Sequence, residues 1–196
     1  MQAIGQRAAR LGRYVQIAAV LVVSLAILRL VAEGSAPAKK VAIDVACDAN
    51  TFVFQGPSGP EGPAYGASFV VEGVIYPAGT FDQFGATSGL DADGDPEFPE
   101  LVIGRWTCRG WFVGEGFATT SGPFVATTQI YDLQPDVPGL ETLVSDGLEL
   151  IDVNQPFARA VTGGTGAFRK ARGEVLQTAL GLNATGLFNF SFEFDL

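Results

Sequence analysis

The sequence predicts an all-β protein, a barrel or sandwich of short strands, preceded by one apolar N-terminal helix. Three observations carry that prediction. Phe188, Phe190, Phe192 and Phe194 alternate with Asn189, Ser191, Glu193 and Asp195, a strict period of two that no helix produces. Strand-like runs recur at short spacing between Gly- and Pro-rich turns, and no helical pattern follows the N-terminus. The 25 glycines and 15 phenylalanines among 196 residues suit a turn-rich sheet.

Composition also excludes several functions. The net charge is −9, so nucleic acid is not an expected partner. The chain has no His. That removes Ser-His-Asp and Cys-His catalysis, His-ligated zinc and His-ligated haem.

Residues 1–38 read as a targeting segment. Arg7, Arg10 and Arg13 precede an apolar run from Val15 to Leu28, and Arg29 interrupts it. Fourteen residues as a helix span about 21 Å, short of the ~30 Å hydrocarbon core. A basic start, a short apolar run and Ala36-Pro37-Ala38 before Lys39 fit a cleaved export signal. If Arg29 snorkels and the run extends through Val31-Ala32, an uncleaved membrane anchor results instead. Either way, the remainder is expected outside the cytoplasm, periplasmic or secreted.

Residues 39–66 read as a lead-in segment ending in the Pro/Gly loop Gly56–Pro63, and residues 67–196 as the barrel domain. Ser68–Tyr76 alternates, with Val70, Glu72, Val74 and Tyr76 on one face and Phe69, Val71, Gly73 and Ile75 on the other. Asp91-Ala92-Asp93-Gly94-Asp95 places three carboxylates at alternate positions. An EF-hand loop would need Gly and Glu where Pro96 and Val102 stand, so a solvated turn is favoured over a calcium site. Neither metal nor cofactor is expected. Leu101–Val113 presents Val102, Gly104, Trp106, Cys108, Gly110 and Phe112 on one face. Phe124–Asp132 and Leu140–Ile151 follow as strands. Arg159-Ala160-Val161-Thr162-Gly163-Gly164-Thr165-Gly166-Ala167-Phe168 reads as a strand running into a tight reversal. Its glycines match neither a Walker loop nor a dinucleotide fingerprint.

That last run, with Ala171-Arg172-Gly173-Glu174-Val175 and the aromatic-rich end Leu187–Leu196, resembles the late barrel strands of the allene oxide cyclase and dirigent superfamily. About a third of the chain carries the likeness. The resemblance implies an eight-stranded antiparallel barrel with an apolar cavity, in a family that is usually trimeric. It also implies a function of restraint and orientation. Cyclase-type barrels hold an unstable fatty-acid epoxide, helped by a glutamate, a cysteine and a proline-bound water. Dirigent-type barrels orient phenolic radicals made elsewhere. A chain without His can do either.

On that basis Glu72 is the candidate catalytic acid or base, with an exposed strand residue or rim ion pair as the alternative. Cys108 lies in the strand that resembles the one bearing the cyclase cysteine. An exported chain with two cysteines usually joins them, so a Cys47–Cys108 disulfide is expected in preference to a free pocket thiol. It would close a loop of about sixty residues, worth ~4 kcal/mol in the chain-entropy model. Tyr76, Trp106, Phe112 and Tyr131 are candidate cavity liners, with ordinary core as the alternative. Arg105, Arg109, Arg159 and Arg172 are expected in ion pairs with carboxylates such as Asp146, Glu149 and Glu174. Three functions stay open: a barrel that binds and orients a small lipid- or phenol-like ligand, an isomerase or cyclase, and a structural protein of the cell envelope.

Overall fold

The computed structural model describes residues 40–83, 88–134 and 136–196. The expected N-terminal helix and its processing lie outside these residues. Among the described residues no helix is long and apolar enough to cross a membrane.

Antiparallel pairing follows from short reversals between strands that each have an apolar face to bury. Eight long strands close into a barrel: β1 (Lys40–Gln55), β4 (Ser68–Pro77), β5 (Gly104–Phe112), β6 (Pro123–Asp132), β7 (Thr142–Leu150), β8 (Phe157–Gly164), β9 (Gly173–Leu182) and β10 (Phe188–Asp195). The order around the barrel is β1-β10-β9-β8-β7-β6-β5-β4, with β4 pairing back to β1. Two short strands, β2 (Ser58–Gly59) and β3 (Gly62–Pro63), form a separate ribbon within the Pro/Gly loop. The closed eight-stranded antiparallel barrel is the architecture implied by the resemblance.

The barrel begins earlier than the sequence suggested. Residues read as a lead-in form β1, which pairs with β10 on one side and β4 on the other. Val41, Ile43, Val45 and Cys47 alternate along it, the period of a strand with one face in the core. A register shift between Asp48 and Val53 interrupts its pairing with β4. That irregularity hides the second half of the strand from a simple period-two reading.

Closure removes sheet edges and makes every strand alternate between lumen and exterior. Phe190, Phe192 and Phe194 point inward and are buried, while Glu193 and Asp195 are exposed. Asn189 departs from that alternation. It is buried outside the lumen, where its amide meets the Asn183 side chain at 3.1 Å and the Ser88 carbonyl at 2.9 Å.

The lumen is divided. At the end holding the start of β1 and the end of β10, Ile43, Ile75, Leu143, Val161, Val175, Phe192 and Phe194 pack into a plug. Phe168 joins them from the turn after β8. The glycine run makes that turn: Gly166 takes φ 54°, and a Cβ there would lie 2.3 Å from the Leu140 carbonyl oxygen. A Cβ on Gly164 would lie 2.4 Å from the Thr142 oxygen, so only glycine fits where the chain crosses β7.

A second apolar cluster lies outside the barrel wall. Residues 78–83 and 88–103 fold over β1 and β4, burying Ala46, Tyr76, Phe81 and Leu90 with Val74, Phe98, Leu101 and Val102. The aspartate turn belongs to this cover. Asp91 Oδ1 accepts the backbone N–H groups of Asp93 at 2.9 Å and Asp95 at 3.0 Å, closing its own turn.

Truncating the plug should therefore be costly. Phe192→Ala is expected to lower unfolding free energy by about 3–5 kcal/mol, since it leaves a cavity. Ser191→Ala, between two ladder positions, should stay within about 0.5 kcal/mol of wild type. Urea denaturation of both variants checks this; equal effects would reverse the inside-out assignment of β10.

Candidate functional site

The other end of the barrel is not filled. A cavity of about 520 Å³ occupies it. Its outer part is aromatic, with Phe52, Phe69, Phe112, Phe117, Phe124 and Phe188. These residues cluster because strand ends alternate inward, and because the loop after β5 carries Phe117 over the opening. The rings of Phe52 and Phe117 lie 5.7 Å apart, and those of Phe69 and Phe112 5.2 Å apart. The deeper wall is formed by Cys47, Val71, Trp106, Cys108, Val125 and Phe190, and Glu149 also lines it. The Trp106 and Phe190 rings meet at 6.1 Å.

Between cavity and plug lies a layer of polar side chains from inward-facing strand positions. Arg159 of β8 donates from Nε to Ser145 Oγ of β7 at 3.3 Å. Ser145 and Tyr131 of β6 are 3.0 Å apart. Tyr131 donates to Gln129 Oε1, so Ser145 supplies the proton of the preceding bond. Gln129 Nε2 donates across the lumen to Gln177 Oε1 of β9 at 3.1 Å, and Gln177 Nε2 donates to Glu149 Oε2 of β7 at 2.9 Å. Glu149 Oε1 accepts from the Thr127 hydroxyl and from the Cys108 thiol, the latter at 3.4 Å. Arg159 Nη1 stands 3.8 Å from Glu149 Oε1, closing the ring with a buried ion pair. The remaining guanidinium donors reach the Leu148 carbonyl at 3.0 Å and the Thr127 carbonyl at 3.1 Å. Every donor in the chain points from the cation toward the anion. That arrangement satisfies a buried carboxylate whose desolvation would otherwise be prohibitive.

The candidates named from sequence divide sharply. Trp106 and Phe112 line the cavity, as read. Glu72 does not. It lies on the outer face of β4, half its side chain exposed, 3.9 Å from the exposed Arg105. The structure places Glu72 in an exposed ion pair on the outer face of the barrel, away from the lumen. Tyr76 is also outside: it is buried in the cluster under residues 78–83 and 88–103 and donates to the Gly89 carbonyl at 2.6 Å. Burial pushes its phenol up to about 12. Tyr131 is inside but below the cavity, in the polar layer against Phe192 and Phe194. Burial raises its phenol far above the ordinary range.

The expected disulfide is absent: Cys47 and Cys108 are both free and buried. Register explains it. Cys47 pairs with Gly73 of β4 and Cys108 with Val71, so a whole strand separates them. Two strand spacings and a two-residue offset along the strands put their Cα atoms roughly 11–12 Å apart, beyond the ~4.4–6.8 Å a disulfide spans. Burial raises both thiols, and the Glu149 charge raises them further. Cys108 is thus a neutral hydrogen-bond donor to Glu149 rather than a thiolate nucleophile.

Sequence reading grouped Arg159 and Glu149 as an ordinary ion pair and missed that both face inward. Gln129 and Gln177 were not singled out. A signal existed: Arg159 lies between Phe157 and Val161 at i±2, and Gln177 between Val175 and Ala179. A polar residue flanked at i±2 by apolar ones shares their face.

No family model matches the chain, and no curated protein matches it. Among solved structures it is similar to a pyocyanin demethylase, at 14% identity over 79% of this chain and 98% of that one, with a TM-score of 0.46. It is also similar to a pterocarpan synthase dirigent protein, at 14% identity over 80% of this chain and 82% of that one, with a TM-score of 0.49.

The thiol assignment is directly measurable. With no reductant present, a chromogenic thiol reagent should find two thiols per chain in denaturant and essentially none in the native protein at pH 8. No thiol in denaturant would restore the disulfide.

Proposed function

We propose that this protein is a barrel that binds a small, largely apolar molecule in the open half of its lumen and holds it in one orientation. The observation that carries the reading is the half-filled interior. A plug closes one end, while a cavity of about 520 Å³ at the other is walled by aromatic and aliphatic side chains. That volume falls within the ~300–1,000 Å³ of small-molecule sites. A barrel serving only as an envelope building block has no use for such a void, because empty apolar space costs stability.

The reading extends to place and assembly. The basic, apolar N-terminal segment exports the chain or anchors it, with the barrel outside the cytoplasm. A homotrimer is the assembly the family resemblance implies. The strongly acidic chain is not suited to nucleic acid.

A second reading, turnover by an isomerase or cyclase, is favoured by one observation. Glu149 puts a carboxylate on the cavity wall, where a bound molecule would meet it. Glu72 has no part in either reading.

Mass spectrometry under native conditions tests the binding reading on gently purified full-length protein. A small molecule released on denaturation is expected. Val71→Phe, which projects a ring into the void, should abolish its retention while the barrel stays folded by circular dichroism. Retention unchanged in Val71→Phe would place the bound molecule elsewhere.

A further inference from the structure

We propose that the cavity selects uncharged, mainly apolar molecules bearing a hydroxyl or N–H donor, and rejects carboxylate anions. The proposal rests on the binding reading above and specifies its ligand class.

Glu149 is the one acidic or basic side chain among the described residues lining the cavity. Its counter-ion does not share that wall. The Arg159 guanidinium is committed to Ser145, Leu148 and Thr127 beneath it. The wall therefore presents the negative member of the pair in apolar surroundings, with its cation behind it, where a second anion is poorly solvated. Burial, and after it the Glu149 charge, raises both Cys47 and Cys108, with Arg159 opposing at Cys108.

The carboxylate also has room for a donor. Oε1 is occupied by Thr127, Cys108 and Arg159. Oε2 accepts only the Gln177 amide among the described contacts, whereas a carboxylate oxygen can take two. A second polar group belongs to a residue of the same wall. Trp106 Nε1 is buried without any hydrogen-bond partner, on the residue two before Cys108 in β5. An orphaned buried N–H is costly, and a ligand oxygen would relieve it. A hydroxyl meets both requirements, donating to Glu149 and accepting from Trp106. A carboxylate can satisfy Trp106 but is repelled by Glu149, and a hydrocarbon satisfies neither.

Three near-isosteric probes separate these cases: 2-naphthol, 2-methylnaphthalene and 2-naphthoate, titrated calorimetrically into the full-length protein at pH 7. The phenol is neutral there and the carboxylate ionised. 2-Naphthol should bind at least tenfold tighter than 2-methylnaphthalene, the range of one hydrogen bond to a charged group. 2-Naphthoate should bind at least tenfold weaker. Glu149→Gln should bring 2-naphthoate to within threefold of 2-methylnaphthalene. Trp106→Phe, which keeps a ring and removes the N–H, should shrink the 2-naphthol preference at least threefold and covers the case in which Glu149→Gln does not fold. Wild-type protein that binds 2-naphthoate as tightly as 2-methylnaphthalene would overturn the selectivity while leaving the binding reading intact. Failure of all three probes to bind would overturn both.

Discussion

The interior of this barrel is organised by one buried charge pair. Glu149 and Arg159 are almost wholly buried, so each is satisfied chiefly by groups inside the lumen. The solution is a one-way relay of donors, from the guanidinium through Ser145, Tyr131, Gln129 and Gln177 to the carboxylate. Inward positions on β6, β7, β8 and β9 are thereby fixed as polar. Packed hydrocarbon fills the lumen on one side of that layer and cavity occupies the other. A fully apolar layer could have been more stable, because buried ion pairs seldom surpass well-packed hydrophobes. The polar layer instead links strands that are not neighbours in the sheet. It also leaves Glu149 on the cavity wall, with Oε2 accepting one hydrogen bond among the described contacts.

The same layer sets the chemical character of the site. In a cavity lined by phenylalanine, one carboxylate dominates the local field. Burial, with the Glu149 charge added to it, keeps Cys108 protonated, and its thiol donates to the carboxylate. The absence of His is consistent with a site that holds a molecule in place, since positioning needs no group titrating near neutrality.

The fold was legible in the sequence where alternation was clean. The Phe188–Phe194 ladder gave the inward face of β10, and the glycine run gave the reversal after β8, because only glycine tolerates that backbone and that proximity. β1 was less legible, because the irregularity between Asp48 and Val53 breaks its period. The site was misread where both faces of a strand are apolar. On β4, Val74 and Tyr76 resemble a core face as much as Val71 and Ile75 do, since residues 78–83 and 88–103 cover the exterior there. No local pattern reveals that a distant segment will fold over a sheet. Glu149 and Arg159 were visible as charges but not as partners in the lumen, because burying a charge runs against the usual expectation for both residues. The spacing that turns them inward was present in the chain, and only closure of the barrel makes it decisive.

The central claim is that this ion pair is satisfied as a unit inside the lumen, and a double-mutant cycle tests it most directly. Chemical denaturation would compare Arg159→Met, Glu149→Gln and the double variant with wild type. Removing one partner should cost about 3–5 kcal/mol, because the other charge is stranded without water. The double variant should cost no more than the worse single one, giving a coupling of about 2 kcal/mol or more. Single variants that each cost under about 1 kcal/mol and simply add would place both charges in contact with solvent and contradict the account.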